Sequence, residues 1–452
     1  VKVLTAEQMR EVDRATIEGG TPEVDLMERA GRRVAAVVRR NFGPLKKSRI
    51  VVFCGKGNNG GDGRIAARWL SRRAGAVHVV EAEDPGATIT DEMKKADVVI
   101  DALLGIGLKG PPRGRVLELI ESINTEFPKA KVVAVDLPSG LGGGGDVVRA
   151  DITVTFTAAK VEHFLAAGAA DTVGRLIVKS IGSPEELVQS DLEVSEAAHF
   201  APLFAPRKHE AHKGDFGHVL VIGGSPGKSG AVAMSGLAAL RMGAGLVSVA
   251  SWDTSRLAPE LMTETLGGFT LKRKTVIAIG PGLGMHRDLV ERVMREAKVP
   301  LVLDADALNS IAGTNFRGRG VETILTPHPG EMARLTGERV EDRLGVARSF
   351  AAKRNVCVVL KGHNTLIALP DGRAWINPTG SPAMAKGGSG DILTGLIAGL
   401  VAQFPQDIET AVRAAVWLHG RAGELAAKDL TEQCVLATDL LKYLPKAIRQ
   451  CV

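Results

Sequence analysis

Aromatic side chains are scarce in this chain: tryptophan, tyrosine and phenylalanine together make up 4% of its 452 residues, with a single tyrosine. Surfaces that hold nucleic acid usually combine a dense basic stripe with aromatic rings for stacking. Here the formal net charge is only +6, and the basic clusters Arg39–Arg40, Lys46–Lys47 and Arg72–Arg73 are short and scattered. That is the pattern of a solvated face. No nucleic-acid partner is expected, whereas an anionic small molecule suits the charge. Cysteine is also rare. Cys54, Cys357, Cys434 and Cys451 show no CxxC or zinc-type spacing, which argues against a structural metal site. Cys54 and Cys357 lie in apolar strand-like runs, where a thiol is usually a small buried hydrophobe. A reducing compartment fits this usage. No window offers 18 uninterrupted apolar residues, and Lys2, Glu7, Arg10 and Glu11 leave no signal-peptide pattern near the start. A cytoplasmic location and no membrane partner are expected.

Glycine, by contrast, is abundant, at 53 residues. It points to many tight loops where backbone approaches something closely. The length calls for more than one domain. Thr5-Ala6-Glu7-Gln8 is a capping box for a first helix, and a second helix is expected over Val24–Arg40. Apolar runs at Arg49–Cys54, Val77–Glu81, Val98–Asp101, Val132–Asp136 and Ile152–Phe156 then alternate with helical stretches. The pattern lapses between Ser183 and Ala211, a proline-bearing and charged stretch. It restarts with strands expected at His218–Ile222, Leu246–Ala250, Val276–Ile279, Leu301–Leu303, Thr323–Leu325 and Val356–Leu360. Helices are expected from Ile392 onward. Such alternation predicts an α/β class with two doubly wound, mostly parallel sheets, one in residues 1–205 and one in 206–452.

Two glycine-rich segments sit where chemistry is expected. The first, Gly55-Lys56-Gly57-Asn58-Asn59-Gly60-Gly61-Asp62-Gly63, follows a strand and precedes a helix. Backbone amides there can face an anionic ligand, although the spacing is not GxGxxG. A plain strand–helix turn capped by Asp62 is the alternative. Two apolar strands further on end in Asp101 and Asp136. Loops at the carboxyl ends of parallel strands line one crevice, and an aspartate there is costly unless paired, coordinated or catalytic. Convergence of Asp62, Asp101 and Asp136 is therefore expected.

The second segment, Gly387-Gly388-Ser389-Gly390-Asp391, leads into an apolar helix. Its free N–H groups suit a transferring phosphoryl group, and Asp391 can act as general base. A simple helix cap is again the alternative. Other strand ends lead into Gly280-Pro281-Gly282, Asp304-Ala305-Asp306, Thr326-Pro327-His328-Pro329-Gly330-Glu331 and Lys361-Gly362-His363-Asn364-Thr365.

The first half resembles the NAD(P)H-hydrate epimerase family, the YjeF N-terminal domain, which is Rossmann-like. The matching stretches are Leu26–Gly31, Asn58–Asp62, Asp101–Leu108, Asp136–Leu141 and Thr153–Phe156. The resemblance implies that Asn58, Asn59, Gly60, Gly61, Asp62, Gly105, Ile106, Gly107, Leu108, Lys109, Gly110, Pro111 and Asp136 bind a hydrated dinucleotide. It also implies potassium at Asn59, Asp101 and Ser139; these are hard oxygen donors with one carboxylate, a set that suits a weakly charged cation. Asp136 is the candidate for moving protons. The family usually has Gly and Pro where this chain has Thr157 and Ala159.

The second half resembles the ADP-dependent NAD(P)H-hydrate dehydratases, which have a ribokinase-like fold. The resemblance rests on His212–His218, Gly223–Ser225, Gly230–Ala231, Thr326–Glu331, Lys361–Thr365 and the Gly387–Asp391 segment. It implies that Ala231, Gly282, His328 and Asp391 hold the hydrated dinucleotide. Lys361, Gly362, His363, Asn364, Thr365 and Gly390 would hold ADP or ATP with magnesium. A homo-oligomer is expected. A vitamin or sugar kinase with a regulatory first domain, and a non-enzymatic scaffold, are the competing readings.

Overall fold

The computed structural model describes the chain except Lys109 and Arg256. It divides into two compact units, Val1–Ser190 and Asp191–Val452. The division falls before the expected 205/206 boundary because Leu192–Val194 hydrogen-bonds along Ala374–Ile376 and so belongs to the second sheet. Among the described residues, no helix is long and apolar enough to cross a membrane.

The first unit contains β1 (Val3–Leu4), β2 (Arg49–Cys54), β3 (Ala76–Glu81), β4 (Val98–Ala102), β5 (Lys131–Val135), β6 (Ile152–Phe156), β7 (Ala159–Lys160) and β8 (Arg175–Lys179). Its helices are α1 (Ala6–Glu18), α2 (Glu23–Phe42), α3 (Asn58–Leu70), α4 (Gly114–Glu126), α5 (Glu162–Leu165) and α6 (Ala169–Thr172). Six strands form a wholly parallel sheet in the order β3-β2-β4-β5-β6-β8. Strands β4 and β6 are buried along their whole length, and β2 and β5 everywhere but at their first residue, as apolar runs covered on both faces must be. On α2, Leu26, Ala30, Val34, Val37 and Val38 form the buried stripe, at helical spacing. Thr5 and Gln8 make the expected capping box: Gln8 N donates to Thr5 Oγ1 (3.1 Å) and Thr5 N to Gln8 Oε1 (2.9 Å).

The second unit contains β9 (Leu192–Val194), β10 (His218–Ile222), β11 (Leu246–Ser251), β12 (Met262–Thr265), β13 (Val276–Ile279), β14 (Leu301–Leu303), β15 (Gly320–Leu325), β16 (Val356–Leu360), β17 (Leu366–Ala368) and β18 (Ala374–Ile376). They pair in the order β12-β11-β10-β13-β14-β15-β16-β17-β18-β9. From β12 to β16 the pairing is parallel, and β16, β17 and β18 form an antiparallel meander. The helices are α7 (Ser229–Arg241), α8 (Arg287–Glu296), α9 (Asp306–Ile311), α10 (Pro329–Thr336), α11 (Arg343–Arg354), α12 (Ser389–Gln403), α13 (Ile408–Leu430) and α14 (Asp439–Ile448).

Helix α12 is the buried axis of this unit, with every residue from Ile392 to Ala402 buried. Glycine lets it lie against α7: a Cβ on Gly395 would stand 2.1 Å from the Ser235 carbonyl oxygen. The close approach fixes where the helix begins, and hence where Asp391 sits. Both sheets are α/β and doubly wound, as expected. Strand order reverses between β2 and β4 in the first unit and between β10 and β13 in the second. Ligands bind outside the carboxyl ends of strands at such reversals.

Two local expectations are corrected. Helix α3 starts at Asn58 with Gly57 as its N-cap, so the glycine loop is only Gly55–Gly57, and Asp62 lies inside the helix. Helix α12 starts at Ser389 with Gly388 as N-cap, so Asp391 is not the cap either. Both capping alternatives fail for one reason: the glycines before each helix take the N-cap position themselves, leaving the aspartates a turn inward.

Candidate active sites

In the first unit the reversal between β2 and β4 opens a cavity of about 650 Å³, within the range of small-molecule sites. Its lining includes Asp13 from α1, Asn58, Asn59 and Asp62 from α3, Gly105–Leu108 after β4, Asp136 after β5 and Lys160 of β7. Gly60, Gly61, Gly110 and Pro111 are not among the lining residues, and Lys109 lies outside the described residues. Packing accounts for two of these glycines. A Cβ on Gly60 would meet the Gly55 carbonyl oxygen at 1.8 Å, and one on Gly61 the Met27 sulfur at 2.5 Å.

Asp136 is held in the left-handed region, φ 63°. A non-glycine residue there is strained and is typically over-determined by its surroundings. The restraints are visible. Asp136 N donates to Val154 O (2.8 Å), and His163 Nε2 lies 2.7 Å from the Asp136 carbonyl oxygen. Lys160 Nζ donates to Asp136 Oδ1 (2.7 Å), Thr155 Oγ1 (2.7 Å) and Phe156 O (3.0 Å). Burial opposes the charge of Asp136, but Lys160 beside it prevails and holds the carboxyl below the usual carboxylate range. Burial and the same ammonium push His163 down to about 4. From the sequence, Lys160, His163 and Thr155 had been given no role of their own. The signal was a lysine and a histidine three residues apart, following a strand.

Asn59, which lines the cavity, and Ser139 both bond to Leu104, and Asp101 is joined to Ser139. Ser139 Oγ donates to Asp101 Oδ1 (2.6 Å), and Ser139 N to Asp101 Oδ2 (2.8 Å). Leu104 N donates to Ser139 Oγ (2.8 Å), and Asn59 Nδ2 donates to Leu104 O (2.9 Å). Asn59 Oδ1 is buried without a hydrogen-bond partner. An orphaned amide oxygen beside a hydroxyl, a carbonyl and one buried carboxylate fits a weakly charged hard cation.

In the second unit the reversal lies between the loops after β10 and β13. These are zipped together: Gly224 N donates to Pro281 O (3.0 Å) and Ser225 N to Gly282 O (2.6 Å). A Cβ on Gly282 would lie 3.2 Å from that of Ala231, so these two expected site residues are neighbours. Next to them, Asp306 accepts from Gly284 N (2.7 Å) and faces Lys228 (3.6 Å).

At the end of β14, Asp304 is almost fully buried and saturated. Thr326 Oγ1 (2.7 Å) and Lys361 Nζ (2.8 Å) donate to its Oδ1, and Thr394 Oγ1 (2.8 Å) to its Oδ2. Lys361 also faces Glu331 at 3.8 Å. Burial works against the lysine's charge, but Asp304, Glu331 and Asp391 outweigh it and raise its pKa above the ordinary value. A Cβ on Gly390 would stand 3.5 Å from Lys361 Nζ, so the lysine lies at the start of α12. Burial, then repulsion from Asp304, pushes Asp391 up to about 6 against the pull of Lys361. His419 is buried, pushed down to about 4, and 3.3 Å from Ser389 Oγ.

The Nδ1 side of His328 is used structurally, while half of its side chain stays exposed. Its Nδ1 accepts from Gly330 N (3.0 Å) and Glu331 N (3.3 Å), while His328 N donates to Glu331 Oε2 (2.8 Å). That capping box places Glu331 beside Lys361. The Lys361–Thr365 segment is the turn between β16 and β17, buttressed by Arg343, which donates to His363 O (2.7 Å) and Asn364 O (3.3 Å). Asp304, Thr326, Arg343 and Thr394 carried no assigned role in the sequence reading. The first two stand at strand ends, where such a role could have been sought; Arg343 and Thr394 are helical and gave no signal.

A model described as the YjeF-related protein N-terminus matches residues 23–93 and 79–161, and one described as NAD(P)H-hydrate dehydratase matches 219–446. The bifunctional NAD(P)H-hydrate repair enzyme of Moorella thermoacetica is 38% identical, covering 99% of this chain and 96% of its own length. The chain belongs to the bifunctional NAD(P)H-hydrate repair enzyme family. The Escherichia coli member is 34% identical over 94% of this chain and 89% of its own. The ADP/ATP-dependent NAD(P)H-hydrate dehydratase of Bacillus subtilis, co-crystallised with ATP and Mg2+, superposes with a TM-score of 0.53 at 34% identity. It covers 58% of this chain and 100% of its own. Because the family match runs through both halves, neither a vitamin or sugar kinase with a regulatory first domain nor a scaffold accounts for the chain.

Proposed function

We propose that the chain restores hydrated NADH and NADPH, the first unit interconverting the R and S hydrates and the second dehydrating the S form. The observation that carries this is the presence, in one chain of this family, of two strand-order reversals with the expected site residues gathered around them. Each is furnished with its own buried lysine–aspartate pair.

In the first crevice Asn58, Asn59, Asp62, Gly105–Leu108 and Asp136 contact the hydrated dinucleotide; Gly60 and Gly61, inside α3, let that helix pack closely enough to present them, and the following sequence Lys109, Gly110 and Pro111 belongs to the same binding segment. Asn59, Asp101 and Ser139 hold a potassium ion, which when bound supplies fixed positive charge at the loop ends. Asp136, kept ionised by Lys160, stabilises positive charge developing on the ring and is the candidate for moving its protons.

In the second crevice Ala231, Gly282 and His328 position the hydrated ring beside Asp391. Lys361–Thr365 and Gly390 hold ADP, or ATP, accompanied by magnesium, which when bound offsets phosphate charge. The relative co-crystallised with ATP and Mg2+ supports this choice of ligand. Asp391 takes the proton from the ring hydroxyl as its oxygen attacks the terminal phosphoryl group, giving AMP when ADP is the donor. Phosphate then leaves far more readily than hydroxide would, and the dihydropyridine is restored.

Incubation with a mixture of both hydrates, with and without ADP, tests the reading through dihydronicotinamide absorbance. Complete recovery with ADP and none without is expected. Recovery stopping at the share present as the S form would remove the epimerase, and no recovery with ADP would remove the dehydratase.

A further inference from the structure

The first cavity holds a carboxyl that this scheme treats only as a contact. Asp62 is 9% exposed and lines the cavity, and its carboxyl makes no hydrogen bond or ion pair with any described residue. Its neighbours explain why none compensates it. Lys160 on β7 is spent on Asp136, Thr155 and Phe156. Arg10 on α1 lines the cavity but donates to Ile106 O (2.8 Å), and Glu23 on α2 accepts from Asn58 Nδ2 (2.9 Å). Asp13 on α1 and Asp136 after β5 add only like charge, and His163, behind Lys160, is neutral.

One lysine thus stands among three carboxyls, and it is committed to one of them. Burial, with repulsion from Asp136 and Asp13, pushes Asp62 up to about 8, and burial pushes Asp13 to about 6. At neutral pH the cavity therefore presents an ionised carboxylate at Asp136 and a protonated one at Asp62. Two titratable groups driven apart by their surroundings are the physical mark of an acid and its charged counterpart.

The hydrated ring carries its hydroxyl on the carbon next to the ring nitrogen, and inversion there requires that carbon to become planar. We propose that Asp62 is a catalytic acid of epimerisation, its carboxyl giving a proton to that ring hydroxyl. The carbon–oxygen bond then breaks as the nitrogen lone pair closes a carbon–nitrogen double bond, and water departs. Return of water to the opposite face re-forms the carbon–oxygen bond, the electron pair goes back to nitrogen, and the surplus proton returns to the Asp62 carboxylate. Nothing is oxidised or reduced, and water is the sole co-reactant. Asp136, fixed by Lys160, faces the cationic ring while it lasts.

This inference rests on the epimerase reading of the first unit, and the test separates the two. Resolved R-hydrate of NADH is given to the full-length protein without nucleotide, and inversion is followed by chromatography of the epimers across pH. Wild-type protein that leaves the R form at its spontaneous rate removes the epimerase reading itself. If wild-type inverts it, kcat should hold level through neutral pH and fall above about pH 8. Asp62→Asn should lower kcat on the order of 100-fold or more while KM stays within about threefold. The same variant should unfold at no lower temperature, since it replaces a buried, unpartnered acid by a neutral isostere. Asp62→Asn retaining near-wild-type kcat, or raising KM instead, overturns the assignment. So does a wild-type profile with no fall above pH 8, a readout that stands even where the variant fails to fold.

Discussion

Each unit sets one lysine against one aspartate at the carboxyl ends of its strands, at nearly the same distance: 2.7 Å for Lys160–Asp136 and 2.8 Å for Lys361–Asp304. The exposure is reversed. In the first unit the lysine side chain is 2% exposed and the aspartate 13%; in the second the lysine is 20% exposed and the aspartate 2%. The first pair therefore offers its negative partner to the cavity and the second its positive one. A ring that passes through a cationic state calls for the former, and a nucleotide phosphate for the latter. In the proposed scheme, the same kind of ion pair is turned to opposite chemistry by which end is the more exposed.

The largest effect is expected where the two crevices are uncoupled. Asp391→Asn keeps the shape of the α12 start but removes the base. Dehydration should fall on the order of 10³-fold, within the usual range for such a group. Epimerisation in the same preparation should persist at the wild-type rate. Loss of both activities in a folded protein would mean the crevices are not independent. In wild type, kcat/KM for dehydration should rise as pH increases through about 6 and then level, because Asp391 must be ionised to accept the proton.

Next come the lysines. Lys361→Met leaves the enclosed Asp304 carboxylate with only two threonine hydroxyls, and stranding a buried charge costs about 3–5 kcal/mol. Lys160→Met strands Asp136, which opens onto the cavity where water can reach it. The loss of stability there should be smaller, about 1–3 kcal/mol. Denaturant unfolding of each variant, followed by probes in its own unit, measures the difference. Equal losses would show that exposure does not separate the two pairs.

Much of this was legible beforehand. The central strands announced themselves as apolar runs, several of them ending at Asp101, Asp136, Asp304 or a glycine, and parallel α/β topology places such ends along one edge of each sheet. Strands that escaped notice are short or peripheral: Arg175–Lys179 and Met262–Thr265 are sheet-edge or near-edge segments with little continuous burial, and β9, β17 and β18 have three residues each. In runs so short or so exposed, sequence pattern says little, and pairing is decided by neighbours elsewhere in the fold. Site partners escaped for the same reason. Asp304 and Thr394 are 90 residues apart, and nothing local to Thr394 marks it. His328 combines both situations: its Nδ1 caps α10, a role local in origin, while half of its side chain stays exposed in a way no neighbouring residue announces.

The smallest effect concerns strain. Each crevice has a non-glycine residue at positive φ beside its aspartate region, Thr157 at 65° in the first unit and Ala305 at 50° in the second. Thr157 occupies the position where the epimerase family usually has glycine, and a β-branched residue is poorly suited to that conformation. Such strain costs about 1–3 kcal/mol, whereas glycine forfeits about 0.5–1 kcal/mol through the entropy of the unfolded chain. Thr157→Gly should therefore gain up to about 1 kcal/mol, read as a higher unfolding midpoint for the first unit, despite losing the 3.1 Å contact between Thr157 Oγ1 and Ser183 Oγ. Ala305→Gly should gain at least as much in the second unit, because its ψ of −116° lies outside the regions open to alanine. A loss at Thr157 alone would mean that its hydroxyl contact outweighs the backbone cost, and that the first crevice has traded glycine for a side-chain tether while the second has not.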